Sequence, residues 1–159
     1  MSFLDSFQLP SIFFQNPYVA TCFPIAVGSA IGFFTAAETK NQYGTLRQPP
    51  LKPPAWLFGP VWTTLYAGMG IASYLARHDS KARGLYTLSL VLNFAWMPMF
   101  FGYAQRSLAL ADIVALWGTL LTLQGHWQQA DDRAGLVGWA NLAWVSFATY
   151  LNAGLVYLN

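Results

Sequence analysis

Along the chain, apolar positions gather into five long stretches, set apart by short clusters of charged and turn-forming residues. The charges can all be named: Asp5, Glu38, Lys40, Arg47, Lys52, Arg77, Asp79, Lys81, Arg83, Arg106, Asp112, Asp131, Asp132 and Arg133. Between them, uncharged sequence runs over 6–37, 53–76, 84–105, 113–130 and 134–159. A helix needs roughly 20 mostly apolar residues to cross a hydrocarbon core. Four of the stretches exceed that length, and the fourth in chain order reaches it when begun near Ser107 so as to include Asp112. The pattern predicts five spans, about Tyr18–Ala37, Leu57–Ala76, Gly84–Tyr103, Ser107–Trp127 and Gly135–Tyr157. These runs do not alternate in polarity as barrel strands do, and backbone in lipid must satisfy its own hydrogen bonds. The expected fold class is an all-α membrane protein, a bundle of five transmembrane helices. Residues 1–16 read as an N-terminal extension and 17–159 as one membrane domain. No secretory signal peptide is expected, because no basic stretch precedes the first apolar run.

The connections are short except for 38–55, where four prolines forbid a continuous helix. This segment is expected to be an ordered, partly extended loop over one end of the bundle. Five spans place the N-terminus, 77–83 and 128–134 on one side, with 38–55, 103–107 and the C-terminus opposite. Arg77, Lys81, Arg83 and Arg133 then face Lys40, Arg47, Lys52 and Arg106 across the bilayer. The positive-inside rule does not choose between the two orientations. Pro24, Pro60 and Pro98 are expected to break three spans locally and open space between helices. Gly28 and Gly32 match the small-xxx-small pattern of close helix approach, which serves either a dimer or packing within one chain.

Composition sharpens this picture. Charged residues make up 9% of the 159, against roughly 25% in an ordinary soluble domain. Apolar residues reach 55% and aromatics 17%, which excludes disorder. A formal net charge of +2 gives no basic footprint for nucleic acid. The single cysteine, Cys22, permits no internal disulfide. Among the charges only Asp112 lies inside a predicted span, roughly 7 Å from its start at the helical rise. An intramembrane carboxylate marks either a functional site or a group that reaches the interface or pairs with Arg106. His78 and His126 lack partners at metal-ligand spacing, so no metal site is expected. No nucleophile–base pair or nucleotide-binding fingerprint is present, and no catalytic residue or cofactor is assigned.

Polar and aromatic stripes say more. Gly59, Trp62, Thr63, Tyr66 and Gly70 share a face of the second span at three- and four-residue spacing. Asn93 and Trp96 do so on the third, just before Pro98, and Asn141, Trp144, Ala148 and Asn152 on the fifth. Amides inside a membrane face the bundle interior and find partners there. Several helices turning rings and amides inward would form a pocket for a flat, hydrophobic ligand with polar handles. The plainer alternative is ordinary interhelical packing. Seven tryptophans fit both an interior and an interfacial belt, and Trp127, at a predicted helix end, suits the belt.

Three motifs resemble those of the translocator protein family (TspO/MBR, the peripheral-type benzodiazepine receptor). They are Pro53-Pro54-Ala55-Trp56-Leu57-Phe58-Gly59-Pro60-Val61-Trp62-Thr63-Thr64-Leu65-Tyr66, the run Asn93–Gly102, and Leu142–Asn152. Asp112 falls where the family has an acidic residue in its fourth helix. The resemblance implies a five-helix membrane protein, often a homodimer, that binds porphyrins, sterols and benzodiazepine-type ligands beneath the loop between its first two helices. Carried over residue by residue, Trp62, Asn93, Trp144 and Ala148 match pocket-lining positions, joined by Ala26, Trp56 and Leu151. Leu51 stands where the family often has a tryptophan associated with light-dependent porphyrin breakdown. Ala140-Asn141 replaces a usual Pro-Tyr, and the C-terminal sterol-recognition pattern ends at Asn159 without a base. A porphyrin- and lipid-binding receptor or transporter is the expected function. A porphyrin-degrading enzyme and a scaffold acting through partner proteins are the alternatives. The N-terminal extension and the run Gly68–Leu75 look more like eukaryotic members, which implies the mitochondrial outer membrane.

Overall fold

The computed structural model describes residues 6–159, with Tyr43 described by its backbone. Asp5 and the start of the N-terminal extension lie outside the described residues. Five long helices carry the fold: α1 (Pro17–Thr45), α2 (Phe58–Leu75), α3 (Ser80–Met97), α4 (Arg106–Ala130) and α5 (Asp132–Leu158). A single helical turn, Ile12–Gln15, precedes α1, a 3₁₀ turn at Ala55–Leu57 leads into α2, and a π turn at Pro98–Gly102 prolongs α3. The described residues contain no strand, as the all-α expectation required.

Local chemistry sets where the helices start. Asn16 accepts from the amides of Tyr18 and Val19 with Pro17 in the first turn of α1. Asp79 accepts from Ala82 N at the start of α3, and Asp131 accepts from Arg133 N at the start of α5. By length and composition, Pro17–Gln42, Ser80–Gly102 and Arg106–Ala130 are able to cross a membrane.

The structure corrects several expectations. Helix α1 runs on to Thr45, about two turns past the predicted end at Ala37, so 38–45 is helical and the loop begins at Leu46. Charges at Glu38 and Lys40 end the apolar stretch but not the hydrogen-bond ladder, and no proline intervenes before Pro49. Pro24 lies inside an unbroken α1. Pro60 falls in the first turn of α2, where an absent N–H costs nothing. Only Pro98 changes the local winding, at the switch from α3 to the π turn. The Gly28–Gly32 pair splits in role. A Cβ at Gly28 would run into the Tyr66 ring, whereas one at Gly32 would meet nothing within 4 Å.

Helix neighbours run around the bundle as α1–α2–α5–α4–α3, with α3 closing on α1. The last helix therefore lies between the second and the fourth. Met69, Ala72, Leu116, Leu120, Leu123 and Val145 fill the centre at 2% exposure or less. Trp127 joins them with no exposed surface, its ring 6.2 Å from that of Tyr86. It is a core residue and not part of an interfacial belt, because it lies on the face of α4 that packs on α3. Phe14, 1% exposed, tucks the segment before α1 against Tyr86, and Leu9 N donates to Thr87 Oγ1. Phe33 and Phe34 are 79% exposed on the outer surface, as suits side chains facing lipid.

Candidate functional site

Two adjoining cavities open at the end of the bundle where 46–54 crosses it. The outer one, of about 710 Å³, lies between α1 and α2. The inner one, of about 100 Å³, reaches toward α3 and α5. Thr39, Ala55, Phe58, Trp62 and Met97 border both. The outer volume lies within the roughly 300–1,000 Å³ typical of ligand sites.

An aromatic cluster forms the wall that the cavities share. Phe58 and Trp62 stand one turn apart on α2, and the Trp62 ring stacks on Tyr66 at 5.6 Å. From α5, the Trp144 ring meets Trp62 at 6.5 Å and Phe58 at 5.9 Å, both edge to face. Below the inner cavity Trp96 stacks on Phe100 at 5.0 Å and meets Phe101 edge-on at 6.0 Å. Amides hold these rings in place. Tyr66 O–H donates to Asn93 Oδ1 at 2.9 Å, and Trp96 Nε1 donates to Asn152 Oδ1 at 2.9 Å. Asn152 in turn donates to the Arg106 carbonyl at 3.1 Å. Asn93 Nδ2 and Trp144 Nε1 are buried without a hydrogen-bond partner.

The loop is fastened to α5. Tyr150 O–H donates to Pro50 O at 3.0 Å, and Asn159 exchanges two 3.0 Å hydrogen bonds with the backbone of Arg47. Gly154 leaves room for the Pro49 ring. Leu51 takes a left-handed φ of 64° and is 80% exposed, away from both cavities.

Of the residues singled out from the sequence, Trp62 borders both cavities, Trp56 the outer one, and Ala148 and Leu151 the inner one. Trp144 backs the aromatic wall, and Asn93 lies behind Tyr66. Ala26 is exposed on α1 and borders neither. Asp112 is 9% exposed, borders neither cavity and has an unpartnered Oδ2; the described residues show no ion pair between it and Arg106. Sequence reasoning passed over Thr39, Lys40, Met97 and Phe101 as lining residues. Lys40 falls within the expected loop 38–55, yet it continues the four-residue series Gly28, Gly32, Ala36.

The opposite end carries a different pair. His126 Nδ1 lies 2.7 Å from Asp79 Oδ2, which joins the last turns of α4 to the cap of α3. Burial pushes the Asp79 carboxyl up. Bonds from Ala82 N, His126 and Lys81 N outweigh it and leave the group below its ordinary range. At the α4–α5 corner, Arg133 hydrogen bonds draw Asp131 down to about 2. No group of three or more metal-ligating side chains occurs among the described residues.

The TspO/MBR family model matches residues 20–158. The chain belongs to the TspO/MBR family. A translocator protein homolog of Schizosaccharomyces pombe is 37% identical, over 97% of this chain and 98% of its own length. The human translocator protein is 39% identical over 75% of each chain. The tryptophan-rich protein TspO of Archaeoglobus fulgidus is 36% identical over 85% of this chain and 91% of its own. Membership in TspO/MBR and three helices able to cross a bilayer make this an integral membrane protein.

Proposed function

We propose that the protein is a membrane receptor or carrier that takes a flat hydrophobic ligand of the porphyrin class into the cavity between α1 and α2. All five long helices cross the bilayer in this reading, α2 and α5 with their amides and rings turned inward. The observation that carries it is the convergence of Phe58, Trp62 and Tyr66 on a cavity of about 710 Å³, with the Trp144 ring packed behind Trp62. Stacked and edge-to-face rings suit the face of a tetrapyrrole. Asn93 and Trp144 support the aromatic wall from behind, Asn93 by accepting from Tyr66 O–H and Trp144 by packing on Trp62. Sterols are a second ligand class on the strength of the family resemblance, which also supports a homodimer and the mitochondrial outer membrane.

Titration of the purified protein with protoporphyrin should quench tryptophan fluorescence saturably. The double substitution Trp144→Ala with Asn93→Ala should weaken binding by about tenfold or more, since it removes the ring behind Trp62 and the hydrogen bond that holds Tyr66 in the wall, together worth more than roughly 1.4 kcal/mol. Quenching that rises linearly with no plateau would remove this reading. Binding without breakdown is expected, because Leu51, which borders neither cavity, stands where the family often has the tryptophan associated with breakdown. Under illumination the bound porphyrin should bleach no faster than the free one, and faster bleaching would favour an enzyme.

A further inference from the structure

Gly28, Gly32, Ala36 and Lys40 follow one another at intervals of four along α1, and all four border the outer cavity. At the helical rise this face extends about 18 Å. It is a groove with a bottom of small residues, walled on the other side by Trp62, and it ends at a cation. Lys40 is the only charged residue among those that border either cavity. Glu38 is displaced by about 200° around the helix and lies on another face. No ion pair to Lys40 occurs among the described residues.

Position along the helix adds to this. The stretch of α1 able to cross a membrane ends at Gln42, so Lys40 lies in its last turn. A lysine there extends its ammonium toward the headgroup level while its stem covers apolar surface. The residues that border the groove follow α1 from Gly28 to Gly44 and α2 from Phe58 to Tyr66, while the loop 46–54 is tied instead to α5 through Tyr150 and Asn159. The groove thus runs along the apolar length of α1 and α2. An occupant reaching it from the bilayer would hold an apolar body against Gly32 and Trp62 and an anionic group at the interface.

We infer that Lys40 is the specificity-determining residue of this cavity and that it selects ligands bearing a carboxylate over their neutral esters. The inference rests on the ligand reading proposed above and names the charge chemistry of that same site. An ammonium beside a carboxylate at an interface favours the charged ligand, and an ester leaves that ammonium without a partner.

The test compares protoporphyrin, a dicarboxylate, with its dimethyl ester, using tryptophan quenching of the full chain in detergent. Lys40→Gln should weaken the diacid by roughly two- to fivefold, the range of an exposed charge pair, and leave the ester unchanged. Lys40→Arg should restore diacid binding, and added salt should bring the wild-type protein toward the Lys40→Gln value. Gly32→Leu should weaken both ligands, because the new side chain projects into space where nothing lies within 4 Å and so leaves the fold intact. Equal effects of Lys40→Gln on diacid and ester, or none on either, would overturn the inference while leaving the cavity reading standing. Failure of both ligands to bind wild-type protein would instead remove the reading on which the inference rests.

Discussion

At the scale of single residues, charge is scarce, and Asp79 shows how much one charged group can do. Asp79 both caps α3 and pairs with His126 across to α4. Its folded value lies below the ordinary carboxylate range, so it stabilises the fold above its unfolded value of about 3.9. That contribution is lost as pH falls through the folded value. The melting midpoint in detergent should therefore drop more steeply on acidification for the wild-type protein than for Asp79→Asn. Parallel acid limbs would show that the pair contributes nothing to stability. At neutral pH, Asp79→Ala should cost about 0.5–2 kcal/mol through loss of the cap. These residues were easy to name from the sequence, but their pairing was not. Asp79 and His126 lie 47 positions apart, and no local pattern links them. The same limit hid the burial of Trp127, whose place near a helix end says nothing about which neighbour its face meets.

At the scale of elements, close approach and open space on α1 and α2 have opposite consequences for substitution. Gly70 lies against the backbone of α1, where an added Cβ would meet the Ala20 carbonyl. Backbone cannot swing aside as a side chain does, so Gly70→Ala should destabilise by about 1–3 kcal/mol, the usual cost of overpacking. Gly32→Ala adds a methyl group with no neighbour within 4 Å and should leave the melting temperature unchanged. Similar effects of the two substitutions, read by thermal melting in detergent, would contradict this packing. The elements themselves were largely legible. Each predicted span overlaps a long helix, and α2 matches its predicted limits to within a residue at each end. The error at the end of α1 has a definite cause. Charge density reports where apolar sequence stops, whereas a helix stops where a proline or an extended residue such as Leu46 interrupts its hydrogen bonds.

At the scale of the whole molecule, the proposed five crossings put the turns at 76–79 and 131 on one side and the segments 46–54 and 103–105 on the other. Cysteines introduced singly at His78 and Asp131, in a Cys22→Ser background, should react with an impermeant reagent from one face of sealed vesicles. Those at Gln48 and Tyr103 should react from the opposite face. Labelling of His78→Cys and Gln48→Cys from the same side would exclude α2 as a crossing. The ring order α1–α2–α5–α4–α3 also explains why the aromatic site has its composition. Trp144 of α5 meets Trp62 of α2 only because the last helix lies beside the second.

Sequence alone settled the helical character of the chain, its family and the residue types available for a site, because lipid imposes length and self-satisfied hydrogen bonds on each span separately. It marked Trp62, Trp56, Ala148 and Leu151, all of which border a cavity. Tertiary structure decided which faces meet. It turned Ala26 outward, set Asn93 behind Tyr66, and aligned Lys40 with the groove by carrying α1 past its apolar limit. A helix period specifies a face, but only the packing of neighbouring helices determines whether that face borders lipid, protein or an open cavity.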